Sequence, residues 1–413
     1  MAGELRCGAL PLSSLADRFG TPLYVYDLDH VEGRYRAFER AFAGTDTLVA
    51  YSVKANGNLA LLHRLARLGA GADIVSAGEL HRALRAGIRP ERIVYAGVAK
   101  TAAEHRAALE AGILALNVES AGELRRLEEV ARGLGVEAPF AIRVNPGIAA
   151  DTPHEYTRTG HAHSKFGVPR EEALELYQWA AARPYLRARG VDVHIGSQIR
   201  ATAPYVRALD TVVGLAVELR DRGMEPGFVD LGGGFGVRYG REPGMEIAEL
   251  ARTLLPRLRG SGLRLVLEPG RAIVGAAGVL LTRVEYVKRY PHHCFIIVDG
   301  GMTELIRPSH YGGYHGIEPV VERPGAEEVV ADIVGPICEN GDFLARERTL
   351  ALPEPGDVMA VRTAGAYGFT MASNYNARRR PAEAVVDRGE VHLVRARESV
   401  EDLLRGEIVP WEE

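Results

Sequence analysis

Cysteine is scarce in this chain of 413 residues. The three present, Cys7, Cys294 and Cys338, form no CxxC pair. A zinc site or a disulfide framework is therefore not expected, and a reducing compartment, by default the cytoplasm, fits. Long apolar runs are missing too. No stretch of about 18 uncharged apolar residues occurs, so no membrane span is expected, and Met1–Cys7 carries no apolar signal core. Positive charge is also lacking: the formal net charge is -4, which leaves no overall field to recruit nucleic acid or anionic lipid. Arginines outnumber lysines but are scattered, often near glutamates, as on solvated helix faces. There is no Walker A lysine and no HExxH, so no metal centre is expected. The one glycine cluster, Leu231–Gly236, lies too late in the chain for a dinucleotide fingerprint, which belongs in a first βα unit.

What is present is ample material for large cores, with 46% hydrophobic residues in a length suited to two or three domains. Short apolar runs recur at Thr47–Val53, Ala72–Ser76, Arg92–Ala96, Leu114–Val118, Phe140–Asn145, Val191–Gly196, Phe228–Gly232 and Leu263–Glu268. Their composition suits strands buried on both faces. Helical patterns separate them: Asn58–Leu68, Gly78–Ala86, Ala102–Ala111, Ser120–Gly133, Arg170–Ala182, Ala203–Arg222 and Glu246–Leu258. Asn58 and Ser120 read as N-caps, and Gly69, Gly87 and Gly112 as helix stops. Eight βα units in this span predict a (β/α)8 TIM-type barrel over 30–272, with a doubly wound open sheet as the alternative. After Arg271 the crossover helices cease. Strand-like runs at Gly278–Lys288, His293–Asp299, Glu328–Val334, Val358–Arg362, Ala384–Val386 and Val391–Val394 predict a β-rich domain over 273–413. The early strand PLYVYD, Pro22–Asp27, extends that domain to 1–29, and Ser399–Arg405 reads as a short helix. The polar segment Ala149–Ser164 is long enough for an active-site lid.

Barrel enzymes carry their chemistry at the C-terminal ends of the strands. Lys54 follows the first strand; it is either a lysine reaching for solvent or a desolvated amine suited to a Schiff base. His194 follows the sixth strand, as a structural imidazole or as one stacked on a planar ligand. Gly232, Gly233 and Gly234 follow the seventh, where barrels often bind phosphate, although tight turns also use glycine. Glu268-Pro269-Gly270-Arg271 ends the eighth. It offers a carboxylate for a pyridine nitrogen and an arginine for phosphate or carboxylate, or else only a turn with a surface ion pair.

Taken together with Arg307–Tyr311 (RPSHY), Cys338–Asp342 (CENGD) and Tyr367–Asn376 (YGFTMASNYN), these motifs resemble the fold type III pyridoxal-5′-phosphate (PLP) decarboxylases, within them the diaminopimelate decarboxylase family. The resemblance spans nearly the whole chain, from PLYVYD onward. It implies a carboxy-lyase of lysine biosynthesis that acts on the amino acid meso-2,6-diaminopimelate. By resemblance Lys54 is the lysine bonded to PLP, His194 stacks on its ring, and Glu268 holds the ring nitrogen. Ser197, Gly232, Gly233, Gly234, Gly270 and Tyr367 match phosphate binders, and Asp73 an acidic residue near Lys54. Arg271, at the same site, matches a carboxylate binder together with Arg307 and Tyr311, while Glu339 matches the contact to the distal amine and Tyr367 also borders the substrate. Cys338 matches the proton donor. The family's homodimer, with Cys338 and Glu339 reaching the partner's site, is implied in the same way. Thr303-Glu304 departs from the family's usual pair.

Three rivals have distinct signatures. A racemase of the same barrel would set arginine rather than Glu268 on the ring nitrogen. A decarboxylase of another basic or carrier-bound amino acid would not need the Arg307–Tyr311 pairing. A non-catalytic regulator or PLP carrier would tend to lack the second domain, Lys54 or Cys338.

Overall fold

Eight short strands of β-branched and small apolar residues pair in parallel. They are β1 (Thr47–Ser52), β2 (Gly71–Ile74), β3 (Ile93–Tyr95), β4 (Ala115–Val118), β5 (Ala138–Val144), β6 (Leu186–Val193), β7 (Phe228–Asp230) and β8 (Arg264–Leu267). β8 returns to β1, with Leu265 opposite Thr47 and Val266 opposite Leu48, so the sheet closes into a barrel and the open-sheet alternative falls. This is a computed structural model, describing residues 3–148, 154 and 164–411; most of Ala149–Ser164 lies outside the described residues.

The barrel interior is a packed core, not a channel. Leu48, Ala50, Val94, Ala115, Ala141, Phe228 and Val266 form one buried cluster. Small residues there make room for the one ring: a Cβ on Gly190 would lie 2.5 Å from the Phe228 side chain. Outside, the helices begin and end where local chemistry dictates. The Asn58 side chain accepts from Ala60 N–H, and Ser120 Oγ from Glu123 N–H. Thr101 and Glu104 form a reciprocal capping box. Each satisfies an otherwise orphaned donor of the first turn. Gly112 ends its helix at φ 71°, a left-handed conformation that L side chains resist.

The chain divides into two compact units. One contains Val31–Arg238 and Pro243–Ile273; the other contains the residues up to His30, Tyr239–Glu242 and those from Val274 onward. The second unit is built on a nine-stranded sheet. Its main path runs Phe343–Ala351, Glu328–Val334, His293–Val298, Gly278–Tyr290, Leu23–Asp27, Ala382–Asp387 and Glu390–Arg395. Leu23–Asp27 is central, antiparallel to Gly278–Tyr290 and parallel to Ala382–Asp387. Leu12, Leu15 and Ala16 of the helix Leu12–Phe19 pack with Leu23, Val25 and Leu281 in this unit's core.

Gly71 opens β2, where an added Cβ would lie 2.2 Å from the Arg92 carbonyl oxygen, a backbone atom that cannot yield. Gly71→Ala is expected to cost about 1–3 kcal/mol, seen as a lower Tm. Gly122, on a helix with open space around its Cβ position, should instead gain up to about 1 kcal/mol on conversion to alanine.

Candidate active site

The C-terminal ends of the barrel strands gather the first set of residues. Lys54 sits in the single 3-10 turn Val53–Ala55 that follows β1. Its Nζ forms an ion pair with Asp73 of β2; Asp73 is fully buried, while the lysine side chain stays 34% exposed. Sheet register explains the meeting, because Ser52 lies directly opposite Asp73. The Ser52 hydroxyl donates to the same carboxylate at 2.6 Å. The amine therefore turns to a buried acid at the mouth rather than away into solvent.

Glu268 ends β8. Its Oε1 is buried and accepts no hydrogen bond within the protein. Burial, followed by Asp230, Asp73 and Asp192, holds its pKa well above the usual carboxylate range, with Lys54 opposing. Asp192 and Asp230 face each other in register on β6 and β7, and their carboxylate oxygens lie within 4.8 Å of one from Glu268. Burial raises both of these acids as well, Asp230 to about 6. The three oxygens are close enough to share protons or to chelate a cation, and burial favours the protonated form of each carboxyl when none is bound.

His194, just past β6, is kept neutral: burial, then Arg143 and Lys54, push its pKa well below the usual imidazole value. Its Nδ1 accepts from Gly233 N–H at 3.1 Å. The glycine loop is glycine by necessity. A Cβ would lie 2.5 Å from His194 Nδ1 at Gly232, 2.2 Å from Glu268 O at Gly233 and 2.0 Å from Gly196 O at Gly234. Gly232 and Gly234 also have φ of 66° and 85°. The Tyr205 hydroxyl fixes the loop by donating to Gly233 O at 2.8 Å. Arg271 Nη2 donates to Ser197 Oγ at 3.3 Å, and Gly270 passes so close to Ser52 and Ala55 that a Cβ would lie 2.9 Å from each.

These groups fit a flat, phosphorylated pyridine. A primary amine stands beside a carboxylate, a neutral imidazole offers a face, and a loop without side chains can approach phosphate. The unsatisfied Glu268 Oε1 awaits a donor such as a ring N–H.

A second set lies in the β-rich unit. Arg307 and Tyr311 bound a short helix, with Arg307 buried. Thr303 and Glu304, the departure from the family pattern, are buried at the approach to that helix. Glu304 Oε2 accepts from Gly301 N at 2.7 Å and from Thr303 Oγ1 at 2.9 Å, so the pair closes a local turn. Cys338 and Glu339 are exposed. Asn376 Nδ2 donates to Cys338 Sγ at 3.1 Å, and the Tyr375 hydroxyl to Glu339 Oε2 at 3.0 Å. One carboxylate organises both loops: Asp342 accepts from Met302 N and from Ile337 N, each at 2.6 Å. Tyr367 takes φ 55° between buried neighbours.

The barrel thus assembles Lys54, Asp73, His194, Ser197, Gly232–Gly234, Glu268, Gly270 and Arg271. The β-rich unit carries Arg307, Tyr311, Cys338, Glu339 and Tyr367. Sequence reasoning did not assign Ser52, Asp192, Asp230, Tyr375, Asn376 or the anchoring role of Asp342. Aspartate at the ends of two apolar runs was the one available signal for the buried acids.

A parallel eight-stranded barrel with an acid-paired lysine, a glycine loop and a buried carboxylate at its mouth defines a PLP enzyme. Residues 28–275 match the family model described as pyridoxal-dependent decarboxylase, pyridoxal binding domain. The chain is 50% identical over 404 residues to the diaminopimelate decarboxylase of Pseudomonas aeruginosa, covering 98% of this chain and 97% of that one. Its fold superposes on the Helicobacter pylori diaminopimelate decarboxylase complexed with L-lysine at a TM-score of 0.92, with 41% identity over 95% of this chain and 98% of that one. The M. jannaschii enzyme, also in complex with L-lysine, gives 0.93 and 37% over 99% and 97%. The chain belongs to the diaminopimelate decarboxylase family.

The raised Glu268 pKa makes a prediction for the cofactor-free protein. A carboxyl raised in the folded state contributes fully below its unfolded value of 4.5 and less as pH rises through the folded one. Thermal melts of the apoprotein should therefore fall as pH rises above about 4.5, and fall less in Glu268→Gln. Equal slopes in both proteins would show that Glu268 is not the group responsible.

Proposed function

We propose that the protein decarboxylates meso-2,6-diaminopimelate to L-lysine and carbon dioxide, the last step of lysine biosynthesis, as a PLP-dependent cytoplasmic homodimer with shared sites. The observation that carries the reaction class is the buried Glu268 carboxyl, its Oε1 unsatisfied among the described residues, at the mouth that also holds the Lys54–Asp73 pair. When bound, PLP supplies a carbonyl carbon for an amine and an electron-accepting ring. Lys54 is the amine that would hold that carbon, with Asp73 orienting its Nζ. Glu268 would keep the ring nitrogen protonated, which a racemase-type arginine would not do. His194 would face the ring, and Ser197, Gly232–Gly234, Gly270 and the Tyr367 hydroxyl would hold the phosphate.

On the substrate side, Arg271, Arg307 and Tyr311 take the distal carboxylate, since a guanidinium forms two parallel charge-assisted bonds to such a group. The partner subunit's Glu339 takes the distal ammonium. The partner subunit's Cys338 returns a proton to the carbon that has lost carbon dioxide. L-lysine bound in two structural relatives supports a substrate that ends in an amino acid centre.

The direct test is release of carbon dioxide and L-lysine from meso-diaminopimelate with added PLP. The wild type should form both and Lys54→Ala neither; turnover of ornithine or arginine in preference would move the substrate. Cys338→Ala should keep the bound chromophore and lose about 10²-fold or more in kcat. Remixing Lys54→Ala with Cys338→Ala should restore about a quarter of wild-type activity, because half the dimers then hold one intact shared site. No recovery on mixing would overturn the shared site.

A further inference from the structure

Arg307 is held from behind by an unusual pair. Its Nη1 donates to His315 Nε2 at 2.6 Å, and His315 is completely buried. The other ring nitrogen, Nδ1, lies 2.8 Å from the carbonyl oxygen of Arg362. These two partners leave one tautomer. A guanidinium has no acceptor, so Nε2 must be the bare nitrogen; a carbonyl has no proton, so Nδ1 must carry the hydrogen. His315 is therefore a neutral acceptor. The guanidinium also lies 4.5 Å from the centroid of the Tyr239 ring, whose edge contacts His315 at 5.2 Å between centroids. Gly312, at φ 59°, turns the chain between Arg307 and His315, and Gly313 N donates back to Arg307 O at 3.1 Å.

We infer that His315 is a positioning residue for substrate specificity: an uncharged brace that fixes the orientation of Arg307 and adds no negative charge of its own beside the distal carboxylate's site. The chemistry explains why imidazole serves here. A carboxylate in the same place would make a stronger bond to Arg307 but would compete with the ligand for its charge. An apolar residue would leave a buried N–H unsatisfied and the side chain free to change rotamer. Tyr239 adds a flat surface of negative potential on which the guanidinium rests, again without a formal charge. This inference rests on the reading of Arg307 as a carboxylate binder.

The test measures L-lysine affinity through the absorbance change of the PLP-loaded enzyme, since L-lysine keeps the distal carboxylate and no turnover is involved. Two near-isosteric variants separate charge from shape. His315→Gln offers a neutral acceptor and should bind L-lysine within about threefold of wild type; His315→Glu offers a charged one and should bind about tenfold or more weakly. His315→Ala should also weaken binding, and the double variant Arg307→Gln/His315→Ala should bind no more weakly than Arg307→Gln alone, because residues acting through one contact are not additive. Cofactor content should stay unchanged throughout. Equal affinities for His315→Gln and His315→Glu, or additive losses in the double variant, would overturn the inference. If Arg307→Gln itself binds L-lysine as wild type does, the assignment of Arg307 fails and the inference with it; if only the His315 variants are silent, the inference alone fails.

Discussion

Burying a carboxylate oxygen without a donor costs several kcal/mol unless the group keeps a proton, and Oε1 of Glu268 is in that position at the end of β8 among the described residues. It is surrounded by further acids of the same barrel, Asp230 on the adjacent strand β7 and Asp73 and Asp192 each one strand further round. A closed parallel barrel makes such crowding possible, because the register that pairs Ser52 with Asp73 and Asp192 with Asp230 brings their side chains to one end. The arrangement is poor for stability and well suited to a cationic ring nitrogen. Lys54, paired with Asp73, supplies one positive charge; a pyridinium would supply another. Much of the mouth can be understood as a cluster of buried, proton-sharing acids matched to a cofactor with a basic ring nitrogen.

Charge placement also distinguishes the arginines. Arg143 is locked to Glu119 at 3.2 Å. In the β-rich unit Arg395 meets the buried carboxylate of Glu383, and Arg380 meets Glu398. Those arginines hold the fold together, and their charges are spent on it. Arg307 has a neutral imidazole and a phenol ring among its partners. In an arginine-rich chain the identity of the bracing group, neutral or anionic, says more about a guanidinium than its sequence neighbours do.

The barrel was legible because its determinants are local. Each βα unit announces itself by an apolar run, several also by a cap such as Asn58 or Ser120 or a glycine stop such as Gly112, and Lys54 and Glu268 follow from position at strand ends. The strand Phe343–Ala351 was missed, since Arg346, Glu347 and Arg348 interrupt any alternation and Glu347 takes φ 49°. It lies at the end of the sheet path, where charges protect an edge from further pairing, so the pattern that hides it is the pattern its place requires. The helix Leu12–Phe19 is too short to stand out, although Leu12, Leu15 and Ala16 do lie on one buried face.

The residues that sequence left silent act across long separations. Asp342 reaches Met302, forty positions away, and Asn376 reaches Cys338, thirty-eight away. Such contacts have no period and no spacing. They depend on which backbone and side-chain donors the loops bring together, which only the folded chain reveals. Asp342 shows why they matter: the same carboxylate secures the approach to Arg307 and the loop that bears Cys338 and Glu339. A substitution there would disturb a cation and a thiol together, although neither contacts it in sequence. The glycines that face Asp342 carry the same constraint in reverse, since a Cβ on Gly301 would fall 2.3 Å from its carboxylate. The loops that bear the proposed substrate residues are therefore drawn close around one buried acid, just as the strand ends of the barrel are drawn close around another.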